Sequence, residues 1–269
     1  MAVVSYAAQC TGVNGEYLSR ADNASLSIGD LAFWLTIWAF MDSKANLANA
    51  LITKYDGSSA NAEYEFIHRG PGGGANRFSW RVASAAGSGR ATLNDALAGV
   101  VALQTWNHLF VWYDPVAAVI GMIVNGGAAQ TTAHTGGAFD GTGEFEIGQE
   151  RGQPLAWDGR LAFAALGKSP PGGFATTPAT TIAGTLCNNG HGLDLSVIDS
   201  ATRTAWGGVS AWRLQEASGS RADIWGSNTL TDNNTVTQAA GPLTDYQPIK
   251  GQYATGLTVA QPYRTEMRE

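Results

Sequence analysis

The sequence predicts an all-β protein, an antiparallel sandwich with one or two short helices after the main strands. Three observations point there. Short β-prone runs bounded by Gly, Asn, Asp and Pro recur along residues 1–168. That stretch carries no sustained 3.6-residue periodicity, so helices do not alternate with strands as a parallel sheet requires. Nine Trp and 34 Gly in 269 residues mark an ordered, turn-rich chain rather than a disordered one.

Residues 33–40 (FWLTIWAF) are apolar on both faces and predict a central strand. Shorter strands are expected at 51–54, 64–68 and 78–83, the last two flanking a glycine-rich loop. A hairpin follows. Residues 106–113 and 118–124 are strands joined through Asp114-Pro115, where Pro presets φ for a turn. Their alternation turns Leu109, Val111, Tyr113, Ile120, Met122 and Val124 to one side. Asn125-Gly126 supplies the two positive φ angles of a type I′ turn, so a further strand is expected at 128–133. Strands at 144–148 and 160–166 complete this part.

The texture changes after Lys168. Residues 169–206 read as a linker with short helices, one at 178–187 stopped by Asn188-Asn189-Gly190 and one near 195–204. Residues 207–250 hold another strand, at 209–215, and 251–269 form a tail. The organisation expected is therefore a sandwich over 1–168, a linker over 169–206, a strand-containing segment over 207–250 and the tail.

Charged residues make up 14% of the chain, against about 25% in an average protein. The net charge is −6 and no Lys/Arg block occurs, so no nucleic-acid partner is expected. The apolar run 31–41 is far shorter than the roughly 20 residues of a membrane-spanning helix, and no membrane role is expected. The opening MAVVSYAAQC lacks the basic and apolar regions of a signal peptide, so synthesis without a secretion signal is expected. Cys10 and Cys187 read as buried free thiols.

The chemistry-bearing residues form no complete catalytic pattern. His68, His108, His134 and His191 make no metal-binding spacing, no Gly-x-Ser-x-Gly elbow occurs, and Gly70–Gly74 has no Lys-Ser/Thr after it. Glu144 and Glu146 share one face of a strand, with Glu150 just beyond. Trp34, Trp38, Trp80, Trp106 and Trp112 lie in strands and read as core. Trp157, Trp206 and Trp225 lie near turns and are the candidates for a sugar-stacking platform.

The stretch 6–168 resembles the laminin G-like, concanavalin A-like jelly roll. The matching phrases come in that family's order: GVNGEYLSRADNASLSIG, FWLTIWAFMDS, TWNHLFVWYDPVAAVIGMIVNGG, EFEIGQE and WDGRLAFAALGKSPP. The resemblance implies a jelly-roll sandwich with lectin-like binding. It implies Ca²⁺ as the one cofactor to look for, at loop oxygens of the right type: Asp22, Asn23, Asp95, Asp140 and Asp158. These match no contiguous calcium loop. Bacterial laminarinases share the shape and use carboxylates on one strand, but here Gly148 and Gln149 push the third acid out of register.

Residues 185–196 and 211–242 are similar to segments that follow and open such domains, combined as in bacteriophage structural proteins. That similarity implies a non-enzymatic virion component, a head decoration or fibre protein. It would assemble as a homo-oligomer, with a trimer suiting capsid symmetry, and would have capsid proteins as partners. A carbohydrate-binding module and a glycoside hydrolase of the laminarinase type are the alternatives. The late position of the opening phrase leaves three placements for the strand at 209–215: its own sandwich, a neighbour's, or a truncated second domain.

Overall fold

The computed structural model describes residues 2–45, 47–55, 63–74, 76–84, 89–150 and 152–245. The expected tail at 251–269 lies outside them. The described residues form two antiparallel sheets packed face to face.

Sheet A runs in the order β10 (Gln130–Ala133), β9 (Val119–Val124), β8 (Trp106–Asp114), β3 (Phe33–Met41), β12 (Asp158–Lys168), β1 (Ala2–Thr11) and β15 (Thr237–Asp245). An eighth strand, β13 (Gly208–Trp212), also pairs with β12. Sheet B runs β14 (Thr231–Asn233), β2 (Tyr17–Arg20), β11 (Phe145–Ile147), β4 (Ala48–Lys54), β5 (Tyr64–Arg69), β6 (Arg77–Ser84) and β7 (Gly89–Asn94). A single turn, α1 (Pro71–Gly74), sits in the glycine-rich loop between β5 and β6.

The main core lies between the sheets. Strand alternation turns Leu109, Val111, Tyr113, Ile120 and Met122 inward, where they meet Phe66, Trp80, Phe145 and Ile147 of sheet B. The hairpin turns form as their residues dictate. Asp114 Oδ1 accepts from the amides of Val116 and Ala117 at 2.9 and 3.1 Å. Asn125 and Gly126 hold φ of 53° and 67°, both positive as a type I′ turn needs.

One edge of β12 serves two partners. β1 pairs with Asp158–Leu161 and β13 with Ala164–Gly167. The changeover falls on a bulge at Phe163, whose φ is 49° and whose amide donates to the carbonyl of Arg213 at 3.1 Å. The late strands thus join both sheets of the same chain, β13 and β15 in sheet A and β14 in sheet B.

Residues 169–206, expected as a linker, are a third layer. They contain α2 (Gly173–Thr176), α3 (Ala179–Cys187) and α4 (Ser200–Ala205). Pro178 stands at the start of α3, and Asn188 ends it in a left-handed conformation. Ile182, Ala183, Leu186, Leu193, Leu195, Ile198 and Trp206 pack on Trp34, Trp38, Phe110 and Trp112, the outward side chains of sheet A. The cause is in the strands: β3 and β8 are apolar on both faces, so their second face needs a cover. Two glycines make room for it. Gly167 stands opposite Trp34 and Gly121 opposite Trp112. A Cβ on either would lie 2.1 or 2.0 Å from the facing indole. Cys10 and Cys187 are both buried and free.

Candidate functional site

The outward face of sheet B differs in kind. The strand registers align one residue from each of its seven strands into a single cross-strand row: Thr231, Ser19, Glu146, Thr53, Glu65, Arg81 and Thr92. Every member is polar. The ends of the row are exposed and its centre is buried. The chain leaving β11 folds over that centre. Thr53 Oγ1 donates to the carbonyl of Gln149 at 3.1 Å, and Leu155 packs on Ala48, Ala50 and Ile67.

Beneath this loop lies a charged cluster. Glu65 accepts from Arg90 at 2.6 Å and from Arg81 at 3.2 Å. Arg90 also donates to the Tyr55 hydroxyl at 2.8 Å and lies over that ring, 4.5 Å from its centre. Glu150 is 1% exposed and hydrogen-bonds to Glu65. Burial, and then the charge of Glu65, push the Glu150 carboxyl well above the usual carboxylate range, with Arg90 and Arg81 pulling less strongly the other way. That shift favours the protonated form, which can donate to Glu65. Its Oε2 is buried and has no hydrogen-bond partner among the described residues.

The sequence profile of the Concanavalin A-like lectin/glucanases superfamily matches residues 13–166, more than half of the chain. The chain belongs to this superfamily. No curated protein matches it. Among solved structures, a candidate carbohydrate-binding protein from Bacteroides ovatus aligns with a TM-score of 0.61 at 15% identity, over 91% of this chain and 62% of that one. The chain therefore spans about three fifths of that structure's length. A pentraxin from Limulus polyphemus aligns with a TM-score of 0.46 at 13% identity, over 68% of this chain and 81% of that one. The CBM40 domain of a Ruminococcus gnavus sialidase gives 0.45 at 13% identity, over 61% and 90%.

Within this lectin-like fold the tryptophans expected to stack on sugars are elsewhere. Trp157 is 0% exposed in the core between the sheets, and Trp206 is 4% exposed under the helical layer. Neither presents a ring face, which corrects the expectation: apolar contact outweighs the neighbouring turns. Trp225 is half-buried, edge-on to Trp34 at 6.4 Å, with its indole N–H on the Leu195 carbonyl at 3.0 Å.

The expected calcium ligands do not converge either. Asn23 accepts from the Ser25 amide at 2.9 Å, and Asp95 from the amides of Leu97 and Ala98, as turn residues do. Asp158 holds the Ser43 hydroxyl, and Asp140 lies beside Gly29 and the Lys168 charge. Asp22 is 2.7 Å from Lys54 Nζ, which also meets Glu63 at 2.5 Å and the Gly141 carbonyl at 2.7 Å. A lysine ammonium thus fills the one oxygen cage these loops build. Among the described residues no group of three or more His, Cys, Asp or Glu could hold a metal ion, and these residues do not fit a Ca²⁺ site.

Of the strand acids, Glu146 is in the polar row and Glu144 lies just before β11. The close carboxyl pair on this face is Glu65 with Glu150 instead. Glu65 carries no sequence signal of its own; only the register of β5 places it there. A retaining glycosidase holds its carboxyls about 5–5.5 Å apart, with the sugar between them. Glu65 and Glu150 are hydrogen-bonded to each other and leave no such gap.

Proposed function

We propose that this chain is a non-catalytic glycan-binding module whose ligand face is the outer side of sheet B. One observation carries the reading: the polar row that crosses all seven strands, buried at its centre, with Glu150 Oε2 and Ser79 Oγ unpartnered there among the described residues. Buried polar groups are normally hydrogen-bonded. A sugar hydroxyl both donates and accepts, so it suits a face that offers both kinds of group. The carbohydrate-binding description of the Bacteroides ovatus protein supports the same reading. The hydrogen-bonded Glu65–Glu150 pair favours binding over hydrolysis.

A glycan array tests this. The protein is expected to bind a defined subset of saccharides and to release no reducing ends from them. Glu65→Ala should abolish retention while the far-ultraviolet circular dichroism stays unchanged. Binding that survives Glu65→Ala would move the site off this face, and hydrolysis lost in Glu146→Gln would restore the enzyme reading.

The place of such a module in a particle is a second reading. It rests on the order of sequence phrases over 185–242, and it makes the chain an oligomeric virion protein carrying a lectin-like head. Electron microscopy of purified particles tests it, and recovery of the protein only in free form counts against it.

A further inference from the structure

Arg69 and Arg77 stand directly opposite each other on β5 and β6. Like charges in that position repel. Among the described residues neither arginine makes an ion pair. Arg77 gives one guanidinium hydrogen to the Asp95 carbonyl at 3.0 Å, and its buried Nε has no partner among the described residues. Arg81 follows four residues along the same strand, on the same face. Three successive outward positions of β6 therefore each bury an unpartnered polar atom: Arg77 Nε, Ser79 Oγ and Arg81 Nε.

The acids nearby do not balance these charges. Glu65 is committed to Arg81 and Arg90. Glu150 is hydrogen-bonded to Glu65, and its raised pKa favours the neutral form. The Asp95 carboxylate accepts through Oδ1 from the amides of Leu97 and Ala98 and from Gln130 Nε2, and makes no ion pair with either arginine among the described residues. A chain with a net charge of −6 thus places on one face two guanidinium groups, Arg69 and Arg77, that make no ion pair among the described residues.

We propose that this face takes an acidic saccharide, with its anionic group held by Arg69 and Arg77; the proposal rests on the glycan-binding reading and names its ligand class. Guanidinium forks match carboxylate and sulfate geometry, so either group satisfies the pair. The bound anion offsets the like charges gathered on this face, Arg81 beside Arg69 among them, which gives the acidic ligand an advantage over a neutral one of equal length.

Titration calorimetry on the full chain tests this with three hexasaccharides: a uronate, a sulfated one and a neutral one. At least one acidic ligand should bind about tenfold or more tighter than the neutral one, and the advantage should shrink in high salt. The better of the two acidic ligands identifies the anionic group. Arg69→Gln and Arg77→Gln should each weaken acidic binding about tenfold. Arg69→Gln should leave Tm unchanged or raise it, because it removes a like charge; a structural role would lower Tm. Equal or tighter binding of the neutral hexasaccharide overturns the acidic preference and leaves the glycan-binding reading standing. Acidic binding that both variants leave intact overturns the location. Silence toward all three ligands and across the array overturns the glycan-binding reading as well.

Discussion

The two outer faces of the sandwich solve one problem in opposite ways. Outside sheet A, Trp34, Trp38, Phe110 and Trp112 form an apolar surface that the chain covers with its own helices. Outside sheet B, a row of polar residues is only partly covered by the loop after β11, and Ser79 Oγ and Glu150 Oε2 lack partners among the described residues. A face that has been closed by packing contributes stability. A face left with unmet hydrogen bonds gives up stability. The comparison teaches where to look in a β-sandwich: at the face whose register lines up polar residues.

Mutations should separate the faces. The largest effect is expected at Trp34, which is fully buried, stacked on Phe110 at 5.7 Å and bonded through its indole N–H to the Trp206 carbonyl at 2.8 Å. Trp34→Ala should cost about 3–5 kcal/mol in denaturant unfolding, with glycan binding by the folded fraction unchanged. A cost below about 1 kcal/mol would mean that the helical layer is a loose appendage.

The faces should also differ in the sign of their pH dependence. His108, under the helices, is buried and its pKa is lowered to about 3. Below about pH 6.5 the unfolded chain takes up a proton that the native imidazole refuses. Stability should therefore fall as pH drops from 6.5 toward 3, by at most about 1.4 kcal/mol per pH unit from this group. His68, on the inner side of β5 in sheet B and lowered to about 4, acts in the same direction, so the contrast in sign is between these imidazoles and the outer-face Glu150. Glu150 acts oppositely. Its folded pKa is raised, so stability should fall as pH rises above the ordinary carboxylate value and onward through the raised one. His108→Gln should flatten the acid limb and Glu150→Gln the alkaline limb of a pH–stability profile. An unchanged acid limb in His108→Gln would place that ring in contact with solvent.

The smallest expected stability effect is at Arg81, half-buried on sheet B. Arg81→Ala should change unfolding free energy by no more than about 1 kcal/mol, since Arg90 still pairs with Glu65. The same variant should weaken glycan retention. The reverse outcome, a large loss of stability with binding intact, would make the charged cluster a structural device.

Much of the fold was legible because it rests on local rules. The apolar run of β3, the Asp-Pro and Asn-Gly turns and the stop of α3 at Asn188 each follow from residue types close in sequence. The third layer was less legible. The doubly apolar β3 implies a cover, but nothing local says that 169–206 supplies it. The site was the least legible part. Glu65, Arg69, Arg77, Arg81 and Arg90 lie on three strands, and only pairing registers bring them together with Glu150. Trp157 and Trp206 misled because a nearby turn says little about whether a large ring is buried.

Hydrogen–deuterium exchange of the full chain, with and without a saturating bound saccharide, tests the central claim most directly. The account predicts new protection in β5, β6 and the loop at 148–157, with α2, α3 and α4 unchanged. Protection confined to the helical layer, with none on sheet B, would contradict it.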